Sequence, residues 1–110
     1  MARTVRTSSP PTLTSGDDVN LATLERSAAL IAKRNAGESV AQVAVGFNGG
    51  TLRLTFCTRS EPTDDDREDC ELACAELIAE FPEIRTAETR CVPLSGCERE
   101  EGSLLVLQRA

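Results

Sequence analysis

The chain has no histidine, tryptophan or tyrosine, and phenylalanine occurs only three times in its 110 residues. Without histidine, it lacks the side chain that most often binds a metal and that most readily exchanges protons near neutral pH. It also lacks a Gly-rich phosphate-binding loop and a Gly-x-Ser-x-Gly nucleophile motif. Because aromatic residues are so few, the core has to consist of Leu, Ile, Val, Ala and Cys. These absences predict a protein that is not an enzyme and that uses no cofactor.

Long apolar runs are missing as well. No run approaches the roughly 20 residues that a membrane-spanning helix needs. Residues 1–18, MARTVRTSSPPTLTSGDD, contain two arginines but no apolar segment after them, so they do not form a secretory signal. We therefore expect no contact with a membrane and a cytoplasmic location. The five cysteines are then expected to be reduced thiols.

Positive charge is scarce in one segment. Residues 61–83 contain ten acidic residues and one arginine, a balance of −9, so the rest of the chain is +3 within a total of −6. A protein that binds nucleic acid directly would carry the opposite sign. If this charge selects a partner, the partner is basic. The alternative is that the acidic surface only maintains solubility.

The pattern of polar and apolar residues predicts a disordered arm followed by a single domain. Residues 1–16 are rich in Ser, Thr and Pro and have no apolar period, whereas residues 17–110 carry helical and strand patterns. A first helix is predicted to be capped by Asp17 or Asp18 and to stop near Gly37. Its apolar residues at helical spacing are Leu21, Leu24, Ala28 and Ile31.

A β-hairpin is the clearest local prediction. In VAQVAVGFNGGTLRLTFCTR, two alternating apolar segments flank Asn48-Gly49, and both residues accept the positive φ of a tight turn. One face is expected to be buried, and its residues are Ala41, Val43, Val45, Phe47, Leu52, Leu54 and Phe56. The opposite face, which includes Cys57, is expected to be largely exposed to solvent.

A second helix is predicted after Pro62, capped by Thr63 and ended by Pro82. Its apolar stripe consists of Cys70, Ala73, Cys74, Leu77, Ile78 and Phe81. Two strands follow, and the last, within GSLLVLQRA, is apolar on both faces as an interior strand would be. The order α-β-β-α-β-β predicts a two-layer α+β domain, with both helices on one face of a four-stranded, mainly antiparallel sheet.

The spacing of the cysteines and carboxylates argues against a metal site. Cys70-x3-Cys74 and Cys91-x5-Cys97 depart from the spacing of zinc ligands, and the first pair shares the apolar stripe, so core packing is favoured. Cys91 and Cys97 flank a short loop and are a candidate disulfide under oxidising conditions. The acidic run 64–66 lacks the alternating ligands and distal Glu of a calcium loop.

The exposed face of the second helix is the candidate functional surface. At 100° per residue, Leu72 lies away from the apolar stripe, among small and acidic side chains. An exposed Leu inside an acidic rim is typical of a protein contact, although a single exposed Leu is also common without any role. The candidate partner-binding residues are Asp65, Asp66, Glu68, Asp69, Leu72 and Glu76, followed by Glu98, Glu100 and Glu101 in a C-terminal loop.

Two stretches, GTLRLTFCTRSEPTDDDREDCELACAELIAEFPEIRTAETRCVPL and GSLLVLQRA, resemble a family of small bacterial immunity proteins. Such proteins are encoded beside polymorphic toxins and contact-dependent growth-inhibition toxins. The similarity covers roughly residues 20–110 and rests on a hairpin, an acidic segment, a helix that ends in Phe-Pro and a final strand. The matching residues are Leu52, Leu54, Phe56, Asp65, Asp66, Glu76, Phe81, Leu105, Val106 and Arg109.

The resemblance implies that the protein binds and neutralises a cognate toxin, often a nuclease. The charge agrees with this, because an acidic protein can fill the basic cleft of a nuclease without being cut. We therefore expect stoichiometric occlusion of a basic toxin by an acidic surface. Two alternatives stay open: a small homodimeric regulatory or assembly domain with no toxin partner, and a protein that binds metal through its thiols.

Overall fold

The computed structural model describes residues 20–98 and 102–109. The predicted arm at residues 1–16, the predicted caps Asp17 and Asp18, and the candidate residues Glu100 and Glu101 lie outside this part of the chain. The elements, in chain order, are α1 (Leu21–Asn35), β1 (Val40–Asn48), β2 (Thr51–Thr58), α2 (Asp64–Glu80), β3 (Thr86–Pro93), a short 3-10 helix (Leu94–Gly96) and β4 (Leu104–Gln108). The predicted α+β class with two helices and a four-stranded sheet is confirmed.

The first helix is capped by Asn20, not by either of the predicted aspartates. The Asn20 side chain accepts a hydrogen bond from the N–H of Thr23 at 3.1 Å, the usual role of Asn at this position. Of the predicted apolar stripe, Leu21 is 53% exposed whereas the rest is buried. Leu21 is the first residue of the helix, so it lies at the margin of the packed region.

The predicted hairpin is confirmed, but its turn is shifted by one residue. β1 and β2 pair antiparallel, and Asn48 pairs with Thr51, so the turn residues are Gly49 and Gly50. Their φ values of 60° and 83° are the positive pair that a two-residue hairpin loop needs. Glycine adopts such angles at little cost, so the Gly-Gly pair is preferred over Asn48 for the turn itself.

A bulge alters which residues of β1 face the core. The pairing of β1 with β2 is irregular between Val40 and Gln42, and a bulge of this kind shifts the alternation of side chains by one residue. As a result, Val40 joins the hydrophobic core cluster, whereas Ala41 is buried as predicted, at 3% exposure, but lies outside that cluster. The alternation predicted for the rest of the hairpin is retained, with Val43 and Val45 fully buried.

The second helix begins after Thr63 and ends before Pro82, as predicted. Its last turn closes where the N–H of Phe81 donates to the carbonyl oxygen of Leu77 at 2.9 Å. The predicted apolar stripe is wrong at Ile78, which is 40% exposed. Ile78 is turned 100° from the fully buried Leu77, so it lies outside the strip of the helix that the core covers.

The four strands form a mixed sheet in the order β3-β2-β1-β4. The pairs β1–β2 and β1–β4 are antiparallel, which confirms the mainly antiparallel prediction, whereas β2 and β3 are parallel. The parallel pair follows from the connection, because a helical crossover returns the chain to the same end of the sheet. The prediction of an interior position for the last strand is wrong, since β4 lies at the edge of the sheet that residues 20–98 and 102–109 form.

Both helices and the strands share one hydrophobic core, and its fully or nearly fully buried members include Leu24, Val43, Val45, Leu52, Leu54, Phe56, Cys70 and Leu77. The prediction that Cys70 and Cys74 are core residues is confirmed. Neither α1 nor α2, the two helices in the described part of the chain, is long and apolar enough to cross a bilayer.

Cys57 and Cys97 form a disulfide, with their Cα atoms 5.9 Å apart. The expectation that all five cysteines are reduced is therefore wrong, and the candidate pair Cys91 and Cys97 is not formed, since Cys91 is a free thiol on β3. The segment after β3 returns to β2, which brings together two cysteines 40 residues apart in sequence. Cys57, predicted to lie on a solvent-exposed face, is only 2% exposed.

Candidate functional site

Asp66 stabilises the start of α2 and presents almost no surface to a partner. The N–H of Thr63 donates to its carboxylate at 2.9 Å, and its own N–H donates to the Thr63 hydroxyl at 3.1 Å, which together form a capping box. The Ser39 hydroxyl donates to the other carboxylate oxygen at 2.5 Å. Asp66 is 4% exposed, so the structure assigns this predicted contact residue to holding α2 against the start of β1.

The pKa values of Asp66 and Asp69 are shifted in opposite directions. Burial alone would raise the pKa of Asp66, but hydrogen bonds from Ser39 and Thr63, with the nearby charge of Arg67, lower it overall. The pKa of Asp69 is raised, first by burial and then by the negative charges of Asp65 and Asp66. Asp69 is half-buried and therefore lies at the margin of the outer surface.

The outer surface of α2 carries the remaining predicted contact residues of the helix. Asp65, Glu68 and Leu72 are exposed, and the Leu72 side chain retains 50% of its accessible area. The helical positions one and two turns beyond Leu72 hold Ala75 and Ala79, which are also exposed. We call this set of five residues the acidic helix face.

No ion pair in the described part of the chain neutralises the acidic helix face. The single cation of α2, Arg67, forms its ion pair with Asp64 at 3.3 Å. Ion pairs elsewhere use Glu76 and Glu88 but neither Asp65 nor Glu68. An apolar side chain flanked by unpaired carboxylates and small residues can be covered closely by a partner, while the carboxylates supply a charged rim.

Glu76 joins the two helices. It forms an ion pair with Arg34 of α1 and accepts a hydrogen bond from the Asn35 side chain at 3.3 Å. The hydrogen bond from Arg34, followed by that from Asn35, lowers the pKa of Glu76. This predicted contact residue therefore borders the acidic helix face but is already engaged within the protein.

Glu98 lies apart from the acidic helix face. It directly follows the disulfide-bonded Cys97 and lines a small cleft on the sheet. The strand residues of that cleft, which alternate with the core positions, are Gln42, Ala44, Gly46, Arg53, Thr55 and Cys57. Glu98, which the sequence analysis named as a secondary contact, therefore lies at a cleft lined by strand residues and by none of the acidic helix face.

Two features of the helices escaped the sequence analysis. Leu30, which lies beside the predicted apolar stripe of α1, is 67% exposed. Its position, about 120° around the helix from Leu24, could have shown this. The partnership of Arg34 with Glu76 had no signal in the sequence, because the two residues are 42 positions apart.

The thiols offer no reactive group at the site. Burial, followed by the proximity of Cys91 and Cys74, raises the pKa of Cys70 to about 12, so its nucleophilic thiolate form is negligible at neutral pH. Among residues 20–98 and 102–109, no cluster of Cys, Asp and Glu is arranged to hold a metal ion.

Residues 29–109 match the family described as MafI2 immunity protein. Among curated protein sequences, none matches the chain significantly. Two zinc-form structures of variants of the MamM C-terminal domain resemble the chain, each at 17% identity and a TM-score of 0.46. The resemblance covers 74% of this chain and 89% or 88% of those domains, and at that level it carries no functional inference.

Proposed function

Because the chain belongs to the MafI2 immunity protein family, whose members neutralise toxins, we propose that it binds its cognate toxin through the acidic helix face. The toxin is a basic protein of the nuclease type, encoded beside this chain in a polymorphic or contact-dependent system. The complex forms in the cytoplasm of the cell that makes both proteins. Neutralisation is stoichiometric and non-enzymatic, since the surface covers the toxin and does not alter it.

One observation carries this proposal: Leu72 is half exposed at the centre of a helix surface whose carboxylates are not paired with cations of the described chain. A Leu in that setting supplies an anchor that is desolvated on binding. Glu68 lies one helical turn before Leu72 and Asp65 lies two turns before it, so a partner that covers Leu72 meets both charges.

The charges give the surface its selectivity. A nuclease must attract phosphate groups, so its active site presents Lys and Arg side chains. Carboxylates on a folded helix attract the same side chains, but they contain no phosphodiester bond that could be cleaved. Occlusion of the basic cleft would then exclude the nucleic acid substrate.

The arrangement of the helices supports this use of α2. We propose that both helices cover the same side of the sheet, since buried residues of each belong to one core with the same strand residues. The acidic helix face is then the outer surface of the domain. The capping box at Asp66 fixes the first turn of the helix, so Asp65 and Glu68 are held in place before a partner arrives.

The test is a binding and protection assay with the toxin domain encoded next to this chain. Leu72→Ala removes the proposed anchor without changing the charge, and we expect affinity for the toxin to fall about tenfold or more. Leu30→Ala is the matched control, because Leu30 is an equally apolar and even more exposed residue on the other helix. Affinity is measured by calorimetry, and protection by survival of cells that express the toxin.

Three results would contradict the proposal at different levels. If the unmodified chain neither binds nor protects, this toxin is not its partner. If Leu30→Ala weakens binding as much as Leu72→Ala, the contact is not centred on the acidic helix face. If the toxin is bound while its active site stays open to substrate, the occlusion mechanism is wrong.

A further inference from the structure

The helices α1 and α2 lie side by side and run in opposite directions. The Ser27 hydroxyl of α1 donates to the Glu80 carboxylate at 3.1 Å, and Arg34, two turns further along α1, forms its ion pair with Glu76. Residue numbers therefore rise along α1 where they fall along α2. Because Leu72 lies one turn before Glu76, a partner that covers Leu72 also lies close to the last turn of α1.

The two helices carry charges of opposite sign. α2 has eight acidic residues and one arginine, a balance of −7. α1 has one acid, Glu25, and three cations, Arg26, Lys33 and Arg34, all of them exposed, a balance of +2. Arg26 and Lys33 are seven positions apart and so lie on the same side of the helix. We call Arg26, Lys33 and Arg34 the basic row of α1.

The stability of α1 accounts for only part of the basic row. Lys33 and Arg34 lie in the last turn, where cations interact favourably with the helix dipole. Arg26 is the sixth residue of the helix, and that effect does not reach it. Arg34 is paired with Glu76, whereas no ion pair within residues 20–98 and 102–109 uses Arg26 or Lys33. Two exposed cations next to an acidic surface are therefore available to a partner.

One partner of ordinary size would meet both helices. A specific protein interface involves about 20–30 residues on each side, and the acidic helix face is much smaller and lies entirely on α2. A toxin centred on Leu72 therefore extends over the neighbouring α1. Apolar residues at the margin of an interface contribute little, so Leu30 remains a suitable control for the anchor, whereas charges at the margin still act through space.

We propose that the basic row of α1 makes the protein selective among basic partners, because its cognate toxin carries acidic residues beside the basic cleft. This inference rests on the proposed function, since it describes the toxin that binds the acidic helix face. Carboxylates placed over Arg26 and Lys33 attract both cations, so the toxin is attracted to each helix. A protein that is basic throughout brings like charges against α1, and this repulsion lowers its affinity.

The test reverses single charges of α1 and follows the direction in which toxin affinity changes. Lys33→Glu and Arg26→Glu each make the chain more acidic by two charges. If net charge alone guided a basic toxin, each variant would bind the toxin domain encoded next to this chain more tightly. We expect each to bind it at least about fivefold more weakly at low salt. Arg90→Glu, the same change at an exposed position of β3, is the control and should not weaken binding.

Polylysine gives a second measurement, because it is basic along its whole length and carries no acidic side chain. We expect Lys33→Glu and Arg26→Glu to bind polylysine more tightly than the unmodified chain does, opposite to their effect on the toxin. Lys33→Gln removes the cation without placing an acid at the end of α1, and it should show the same two changes to a smaller extent. Circular dichroism checks that each variant is folded.

The outcomes separate this inference from the proposed function. An unmodified chain that does not bind the toxin domain overturns both. Toxin binding that Leu72→Ala weakens, but that Lys33→Glu and Arg26→Glu strengthen or leave unchanged, overturns the selectivity alone. A loss of toxin affinity that is equally large in Arg90→Glu shows that the effect is not confined to α1, and it overturns the inference as well.

Discussion

Asp65 and Asp66 are neighbours with the same side chain, yet the structure gives them different roles. Asp65 is exposed on the acidic helix face, whereas Asp66 is buried among the groups that it bonds, Thr63 and Ser39. Each residue of a helix is turned 100° from the one before it, which is enough to move a carboxylate from solvent to an internal cap. Charge alone therefore does not identify the contact residues, and each acid has to be assigned from its bonding partners.

The assignment of Asp66 predicts a loss of stability on substitution. Asp66→Ala removes two hydrogen bonds to a buried carboxylate, and we expect the free energy of unfolding to fall by about 2 kcal/mol. Asp65→Ala, at the adjacent exposed position, should cost less than about 1 kcal/mol. Urea unfolding at neutral pH measures both. Equal losses for the two variants would contradict the structural role of Asp66.

The same residue predicts a pH dependence. The pKa of Asp66 is lower in the folded protein than its ordinary value of 3.8, so the ionised side chain favours folding. This contribution to the free energy of unfolding is fully present above pH 3.8. It is lost as the pH falls through the lowered pKa that Asp66 has in the folded protein. The difference in unfolding free energy between the unmodified chain and Asp66→Ala should therefore shrink below that pH. A difference that stays constant down to the acid unfolding limit would show that Asp66 acts without its charge.

At the scale of secondary structure, sequence patterns correctly predicted the features that depend on residues close together in the chain. The Thr63 cap, the stop at Pro82 and the Gly-containing hairpin depend on neighbouring residues, and the sequence located all three. The parallel pairing of β3, the edge position of β4 and the partner of Cys97 depend on contacts between distant segments. The spacing of apolar residues cannot predict such contacts, because it indicates which face of a strand is buried but not which strand lies alongside.

In the candidate site, too, local features could be predicted from the sequence, whereas contacts between distant segments could not. Leu72 was located correctly because its exposure follows from its angle on a single helix. Glu76 was predicted as a contact residue, but its ion pair with Arg34 could not be predicted because Arg34 belongs to another helix. Glu98 was predicted only as part of a C-terminal loop, and its position beside the strands could not be predicted because it follows from the disulfide between Cys97 and the distant Cys57.

The disulfide between β2 and the segment after β3 predicts a stability that depends on redox conditions. A crosslink spanning 40 residues restricts the unfolded chain, and its reduction should lower the free energy of unfolding by about 3–4 kcal/mol. Cys97→Ala should have the lower stability from the start and should not respond to dithiothreitol. Cys91→Ala is the control and should respond as the unmodified chain does. If Cys97→Ala still responds to the reductant, a different pair of cysteines is crosslinked.

At the scale of the whole molecule, the proposed toxin contact combines an apolar anchor with the charges of the acidic helix face. Apolar association changes little with moderate salt, but attraction between exposed charges is screened over about 8 Å at physiological ionic strength. The toxin's association rate should therefore fall in a salt titration.

The kinetics of toxin binding should distinguish the charges of the acidic helix face from its apolar anchor. The double variant Asp65→Asn, Glu68→Gln removes two exposed charges, so we expect a slower association rate, a weaker dependence on salt and a nearly unchanged dissociation rate. Leu72→Ala keeps the charge and should mainly raise the dissociation rate, because the anchor acts once the complex has formed. Glu25→Gln, Glu38→Gln is the matched control, since both residues are exposed and the net charge changes by the same amount. Stopped-flow measurements at several salt concentrations give both rates. If the control slows association as much as the first double variant, the toxin responds to net charge, and α2 has no special part in guiding it.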